Sequence, residues 1–335
     1  MPMSTAITNP DTGRKLASLL APIATHLAEA EAIFVEELRS RSPFVQGLAA
    51  HCADFRGKRL RPALVFLCAQ ATGGINRSHA VLAAVVEMVH TATLVHDDIL
   101  DESSLRRHVA TVNSAWGNET AVLMGDYLFT HAFHLAASLD SVLACRWIGR
   151  ATNLVCEGEM QQVHNRGNLD LDEASYLEII RGKTAELTAV CCRMGAQYAD
   201  ADQAVVDALD GYGRDLGVAF QIVDDILDIR GEERKTGKSL GTDLEKQKLT
   251  LPIIRLLNVA PPDLAQRLRS LLNQPDVRSG RELEPYLENS GALDYAWEQA
   301  VGFASSAERA LDILPESSAK GILRTLTHHV VRRSA

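Results

Sequence analysis

Proline is missing from the middle of this chain: none occurs between Pro62 and Pro252. Proline breaks a helix from within, so that gap leaves room for long uninterrupted helices. Aromatic residues are scarce at 5% of the 335 residues, whereas Ala, Leu and Glu abound, and this balance disfavours strands. The six cysteines, at 52, 68, 145, 156, 191 and 192, contain no Cys-x-x-Cys pair, and the amino terminus has no signal-like pattern. A reduced, cytoplasmic protein is the expectation. Positive charge is not in excess either. The net charge of −9 argues against nucleic acid as a partner, although local basic clusters can still take anions. The most apolar run, Ala80 to Val89, carries Glu87 and is far shorter than a membrane span, so no transmembrane segment is expected. With 46% hydrophobic residues the chain can bury a large core, and the expectation is a single all-α domain over residues 1–335, with 1–10 a loose end.

What is present is concentrated in Val95-His96-Asp97-Asp98-Ile99-Leu100-Asp101-Glu102. On a helix, Asp97 and Asp101 stand one turn apart on one face with Asp98 on the flank. Like charges at that spacing repel, so the ridge needs open water or a bound cation, and its apolar neighbours argue against water on every side. The same five letters return at Asp224-Asp225-Ile226-Leu227-Asp228. One acidic cluster is ordinarily a solvated helix face. Two identical copies in apolar sequence point instead to ligands.

Four basic elements accompany them. Arg56-Gly57-Lys58-Arg59-Leu60-Arg61-Pro62 places cations around a turn that Gly57 permits, with Pro62 suited to open a helix, an arrangement fit for an anion or simply a solvated turn. Gly73-Gly74 ends that helix, and Ser78 is placed to cap the next, on which Glu87, His90, Thr91, Thr93 and His96 are polar among apolar residues. Arg106-Arg107 follow the first triplet and either pair with it or face whatever anion a metal holds. Asp172 is suited to cap a helix carrying Tyr176, Lys183 and Thr184. Cys191-Cys192 read as small buried side chains. Gln221 precedes the second triplet, and a basic glycine-punctuated loop around Lys238 follows it. Magnesium prefers oxygen and shares it between carboxylates and phosphates, so two acid ridges suit Mg²⁺ ions bridging a diphosphate.

In this order the motifs closely resemble the trans-type polyprenyl diphosphate synthases: Gly-Lys-Arg-Leu-Arg-Pro, His-Asp-Asp-Ile-Leu-Asp, Arg-Arg, Gly-Glu-Met-Gln-Gln, Lys-Thr-Ala, Phe-Gln-Ile-Val-Asp-Asp-Ile-Leu-Asp and Gly-Lys-Ser-Leu-Gly-Thr-Asp. The resemblance implies the all-α isoprenoid synthase fold, helices around a deep central cavity, usually as a homodimer. It also implies that Asp97, Asp98, Asp101, Asp224, Asp225 and Asp228 hold about three Mg²⁺ ions on an allylic diphosphate (geranyl, farnesyl or geranylgeranyl). Arg106, Lys183 and Lys238 would touch that diphosphate. Lys58, Arg61, His90 and Arg107 would hold isopentenyl diphosphate, and Thr184 and Gln221, with Lys183, would line the path of the allylic cation. Three positions depart from the family pattern where glycine is usual, namely Arg56, His108 and Gln247, and none is an expected metal ligand.

A growing product would extend from Asp97 toward the start of its helix, where one isoprene unit of about 5 Å nearly matches a helical turn. Ala92 and Thr93, one turn below, are small where short-chain relatives carry a bulky aromatic. Met88, Phe129 and Phe133 are deeper candidate floors. The absence of a bulky floor there makes the expected product long, and the family resemblance puts it at roughly C30 to C50, with geranylgeranyl diphosphate as the rival. A noncatalytic subunit of a heteromeric prenyltransferase would tend to lose the acidic ligands. A terpene cyclase would not need an isopentenyl site. An HD-type phosphohydrolase would use His90 and His96-Asp97 but gives no role to the second triplet.

Overall fold

The computed structural model describes residues 16–332 apart from 54, 56, 107–108, 231–241 and 274–281. Helix dominates, as the proline gap requires. Pro22 sits in a 3-10 turn, Ala21–Ile23, that precedes α1 (Ala24–Glu37). Then come α2 (Pro43–Ala53), α3 (Leu60–Thr72) and α4 (Arg77–Leu100). Helix α3 starts two residues before Pro62, and its N-cap is Arg59 in the left-handed conformation at φ 51°. Gly73 and Gly74 end α3, the latter at φ 109°. The expected cap at Ser78 is instead Asn76, whose side chain accepts from the Ser78 amide while His79 reaches back to the Asn76 amide. An amide side chain and an imidazole thus share the work usually done by Ser and Glu.

The all-α expectation has one small exception among the described residues. Strands β1 (Leu105–Arg106) and β2 (Val109–Ala110) pair antiparallel, with Leu105 opposite Ala110. The chain continues through α5 (Val112–Trp116), α6 (Asn118–Ala137), α7 (Leu143–His164) and α8 (Glu173–Ile180), which Asp172 caps as expected. A π-helical turn, Arg181–Ala185, leads into α9 (Glu186–Gln197) and then α10 (Gln203–Arg230). The remaining helices are α11 (Thr242–Glu245), α12 (Leu251–Val259), α13 (Pro262–Leu272), α14 (Glu284–Ser290), α15 (Ala292–Ala310) and α16 (Ser318–Arg332).

Packing divides the chain into two compact units, each assembled from segments distant in sequence. The first holds residues 1–152, 190–210 and 313–323. Its axis is α4, which packs on α1, α3 and α6 and buries Leu82, Val85, Met88, Val89 and Ala92. By length and composition α4 passes for a membrane span, contrary to expectation, because the apolar pattern runs on past Val89 through Ala92, Leu94 and Val95. Yet 72% of its most apolar window is buried inside the protein, as in a core helix.

The second unit holds residues 153–189, 211–312 and 324–335. Its core joins Tyr176, Ile179 and Ile180 to Val218, Ile222 and Ile226 of α10 and to Leu251, Ile253 and Ile254 of α12. This gives the second aspartate triplet a rigid apolar seat.

Close helix approach in the first unit depends on glycine. A Cβ on Gly195 of α9 would lie 2.4 Å from the Val65 carbonyl oxygen and 2.9 Å from Cys68 Cβ, both on α3. Backbone cannot swing aside as a side chain can, so Gly195→Ala should destabilise the protein by about 1–3 kcal/mol. Thermal melting followed by far-UV circular dichroism checks this, and an unchanged midpoint would show that α3 has slack there.

Candidate functional site

The first triplet lies on the last turn of α4. Asp97 and Asp101 are partly exposed, whereas Asp98 is buried with its side chain 2% accessible. A buried carboxylate requires a partner. Arg106 supplies it: Nε donates to both Asp98 oxygens at 3.1 and 2.9 Å, and Nη2 donates to Oδ1 at 2.8 Å. The hairpin holding Arg106 is fastened at both ends. Thr111 Oγ donates to the Ser103 carbonyl at 2.7 Å, and His51 Nε2 lies 2.7 Å from the Ala110 carbonyl. Asp98, an expected metal ligand with Asp97 and Asp101, thus pairs with Arg106, an expected diphosphate contact.

The second triplet repeats this division. Asp224 and Asp228 are partly exposed and Asp225 is 4% exposed. The Tyr176 hydroxyl donates to Asp225 Oδ2 at 2.6 Å, and Gln221 Nε2 donates to Oδ1 at 2.8 Å. Thr184 Oγ in turn donates to Gln221 Oε1 at 2.8 Å, so Thr184, Gln221, Asp225 and Tyr176 form one hydrogen-bonded chain. Burial raises the Asp225 pKa well above the usual carboxylate value. Asp243 and Asp224 add to that rise, and the two hydrogen bonds oppose it. Asp228 accepts the Asp243 amide at 3.1 Å, at the first turn of α11.

Lys183 reaches this site because of the π turn. A π turn adds a residue to the helix and re-aims side chains, a device common at functional sites. Opposite it, Gly158 of α7 has no room for a side chain, since a Cβ there would lie 2.6 Å from the Lys183 amide nitrogen. The Lys183 ammonium pairs with Glu159 and donates to Gln162 Oε1 at 2.7 Å. A cavity in the second unit is lined by Gln162, Lys183, Thr184, Gln221, Asp225 and Lys248, with Leu171, Ile179 and Ile180 as apolar wall.

In the first unit Lys58 is exposed, and Arg61 Nη1 lies 3.1 Å from His90 Nε2. His96 is turned away from the first triplet: its Nε2 is 3.2 Å from the Val122 carbonyl, and its ring lies over Phe129 and the space left by Gly125. This also removes the residue on which an HD-type site would depend. Ala92 and Met88 are fully buried, Thr93 is partly exposed, and Phe129 and Phe133 are half-buried on α6. Arg107 and Lys238 lie outside the described residues, as do Arg56 and His108. Cys191 and Cys192 are buried thiols, and burial pushes the Cys191 thiol up to about 12, which fits inert packing.

Among the described residues no three His, Cys, Asp or Glu side chains are grouped tightly enough to hold a metal by themselves. The donors on offer are oxygens: Asp97 and Asp101 on one helix face, Asp224 and Asp228 on another. Such sparse carboxylates suit a hard cation that keeps waters and completes its shell with phosphate oxygens, and they do not suit a thiolate or imidazole cage.

A helical chain with two split aspartate triplets defines an isoprenoid synthase fold, and solved structures agree. A decaprenyl diphosphate synthase from Rhodobacter capsulatus superposes with TM-score 0.89 at 35% identity, covering 96% of this chain and 99% of that one. A polyprenyl synthase from Caulobacter crescentus CB15, complexed with calcium and isoprenyl diphosphate, gives 0.89 at 34% identity over 100% of both chains. In sequence, octaprenyl diphosphate synthase of Escherichia coli (strain K12) is 36% identical over 313 residues, 92% of this chain and 96% of that protein. The Polyprenyl synthetase family matches residues 42–287, and the chain belongs to it. That family is metal-dependent.

Sequence reasoning passed over Tyr176, Glu159 and Gln162 as functional side chains. Glu159 and Gln162 did carry a signal, an i, i+3 polar pair beside Gly158 on an otherwise mixed helix. Tyr176 carried none, because a buried tyrosine looks like core until its hydroxyl finds a partner. Tyr176→Phe should cost about 1–3 kcal/mol, since Asp225 then loses a donor in a buried setting. Urea denaturation reads this directly, and an unchanged midpoint would mean that the 2.6 Å bond carries no stability.

Proposed function

We propose that the protein condenses isopentenyl diphosphate head-to-tail onto an allylic diphosphate, giving a long trans-polyprenyl diphosphate of roughly C30 to C50. The protein is a polyprenyl diphosphate synthase, a prenyl transferase. The observation that carries the mechanistic reading is the hydrogen-bonded chain from Thr184 through Gln221 to the buried Asp225, with Lys183 beside it in one cavity.

Asp97 and Asp101, and likewise Asp224 and Asp228, would hold Mg²⁺, about three ions as such diphosphate sites commonly take. Bound Mg²⁺ supplies positive charge to the departing diphosphate. Asp98 orients Arg106 and Asp225 anchors Gln221, so neither needs to move when substrate arrives. Lys183, and by resemblance Lys238, places a cation where negative charge develops as the allylic carbon–oxygen bond breaks. Thr184 and Gln221 present oxygen dipoles to the allylic cation left behind. The double bond of isopentenyl diphosphate, held by Lys58, Arg61, His90 and Arg107, then attacks that cation, and loss of a proton to the released diphosphate restores the alkene. Leu171, Ile179 and Ile180 exclude the water that would otherwise capture the cation.

A homodimer is the proposed assembly, supported by the large apolar side chains Val122 and Leu123 of α6, which are 44% and 68% exposed. Six cysteines that form no disulfide support a cytoplasmic location.

Incubation with Mg²⁺, labelled isopentenyl diphosphate and farnesyl diphosphate should yield new long prenyl diphosphates, and chelation by EDTA should abolish them. Recovery of unextended farnesyl diphosphate, its alcohol or a cyclic hydrocarbon would overturn the reading, and arrest at geranylgeranyl diphosphate would overturn the chain length. Ala92→Tyr should shorten the product by several isoprene units, since each unit spans about one helical turn. Because Ala92 is fully buried, the variant should also melt earlier, and an unchanged chain length would exclude Ala92 from the product's path.

A further inference from the structure

Glu87 lies on α4 one turn before His90, buried at 8% exposure, and no part of the chemistry above uses it. A buried carboxylate in so apolar a helix needs a cation, and Arg59 provides one, with Nη1 2.6 Å from Glu87 Oε1. Arg59 is also 3.6 Å from Glu31 of α1. It does this from the left-handed conformation at φ 51°, which a residue with a Cβ avoids unless its side chain is held. The residue held in that conformation is the N-cap of α3, flanked by Lys58 and separated from Arg61 by one residue.

Arg61 shows the same dependence. Its Nη1 lies against His90 Nε2, and because a guanidinium has no acceptor, His90 must accept there and carry its proton on Nδ1. Arg61 Nε is enclosed and has no hydrogen-bond partner. Burial lowers the Arg61 pKa, and the Glu87 carboxylate acts in the opposite direction.

We infer that Glu87 is a positioning residue of the isopentenyl diphosphate site: through Arg59 it holds the turn before α3 in the conformation that presents Lys58 and Arg61 to a diphosphate. The inference rests on the assignment of Lys58, Arg61 and His90 to that substrate. Glu87 itself touches no substrate, so its loss should weaken one substrate and spare the other.

Steady-state kinetics of the full-length protein with Mg²⁺ tests this. Glu87→Gln keeps the shape and removes the charge. Arg59→Gly keeps the left-handed backbone and removes the guanidinium. Each should raise KM for isopentenyl diphosphate about tenfold or more, leaving kcat and the KM of the allylic diphosphate within about threefold. The double variant should be no worse than the poorer single one, because both remove the same contact. An unchanged KM for isopentenyl diphosphate, a parallel rise in both KM values, or additive losses would overturn the inference. Should Glu87→Gln fail to fold, Arg59→Gly decides by the same criteria. Absence of condensation by the unaltered protein is read first, and would sink the proposed reaction rather than the role of Glu87 within it.

Discussion

Removing a carboxylate from water is expensive, and this protein does so in the middle of each aspartate triplet. Asp98 and Asp225 are the most enclosed members of their clusters, and each is surrounded by donors from its own unit. A buried acid that kept no partner would be neutral or would unfold its helix. The partners are therefore as constrained as the acids. Arg106 is fixed by a two-strand hairpin, Tyr176 by the core of the second unit, and Gln221 by its place one turn before Asp225 on α10.

The same pairing governs the cations. Lys183 meets Glu159, Arg106 meets Asp98 and Arg59 meets Glu87, so each of these positive groups is placed by an internal acid. A cation placed in advance loses little side-chain entropy when an anion arrives, which favours stabilising charge that appears only as a bond breaks. The arrangement also accounts for the glycines. Gly158 lets α7 come close enough for Glu159 to reach Lys183, and Gly195 lets α9 lie against α3.

Much of this was legible without coordinates. The helical class followed from the proline gap, and the cap at Asp172 followed from residue type. The triplets announced themselves by repetition. Other features were illegible for definite reasons. The cap at Asn76 depends on the His79 ring reaching back to its amide, a contact set by side-chain rotamer. His96 neighbours the first triplet in sequence, but Gly125 on a helix 29 residues away opened a berth for its ring.

Sequence by itself determined the family, the helical class and the positions of the acidic and basic elements, because these rest on local propensity and on spacing along one chain. Tertiary structure alone decided which aspartate of each triplet is buried, which cation answers it, and that Tyr176 and Glu87 matter. Those outcomes depend on desolvation, and burial is a property of what packs against a residue from far along the chain. Identical letters at 97, 98 and 101 thus acquire different duties once Arg106 and the core have chosen among them.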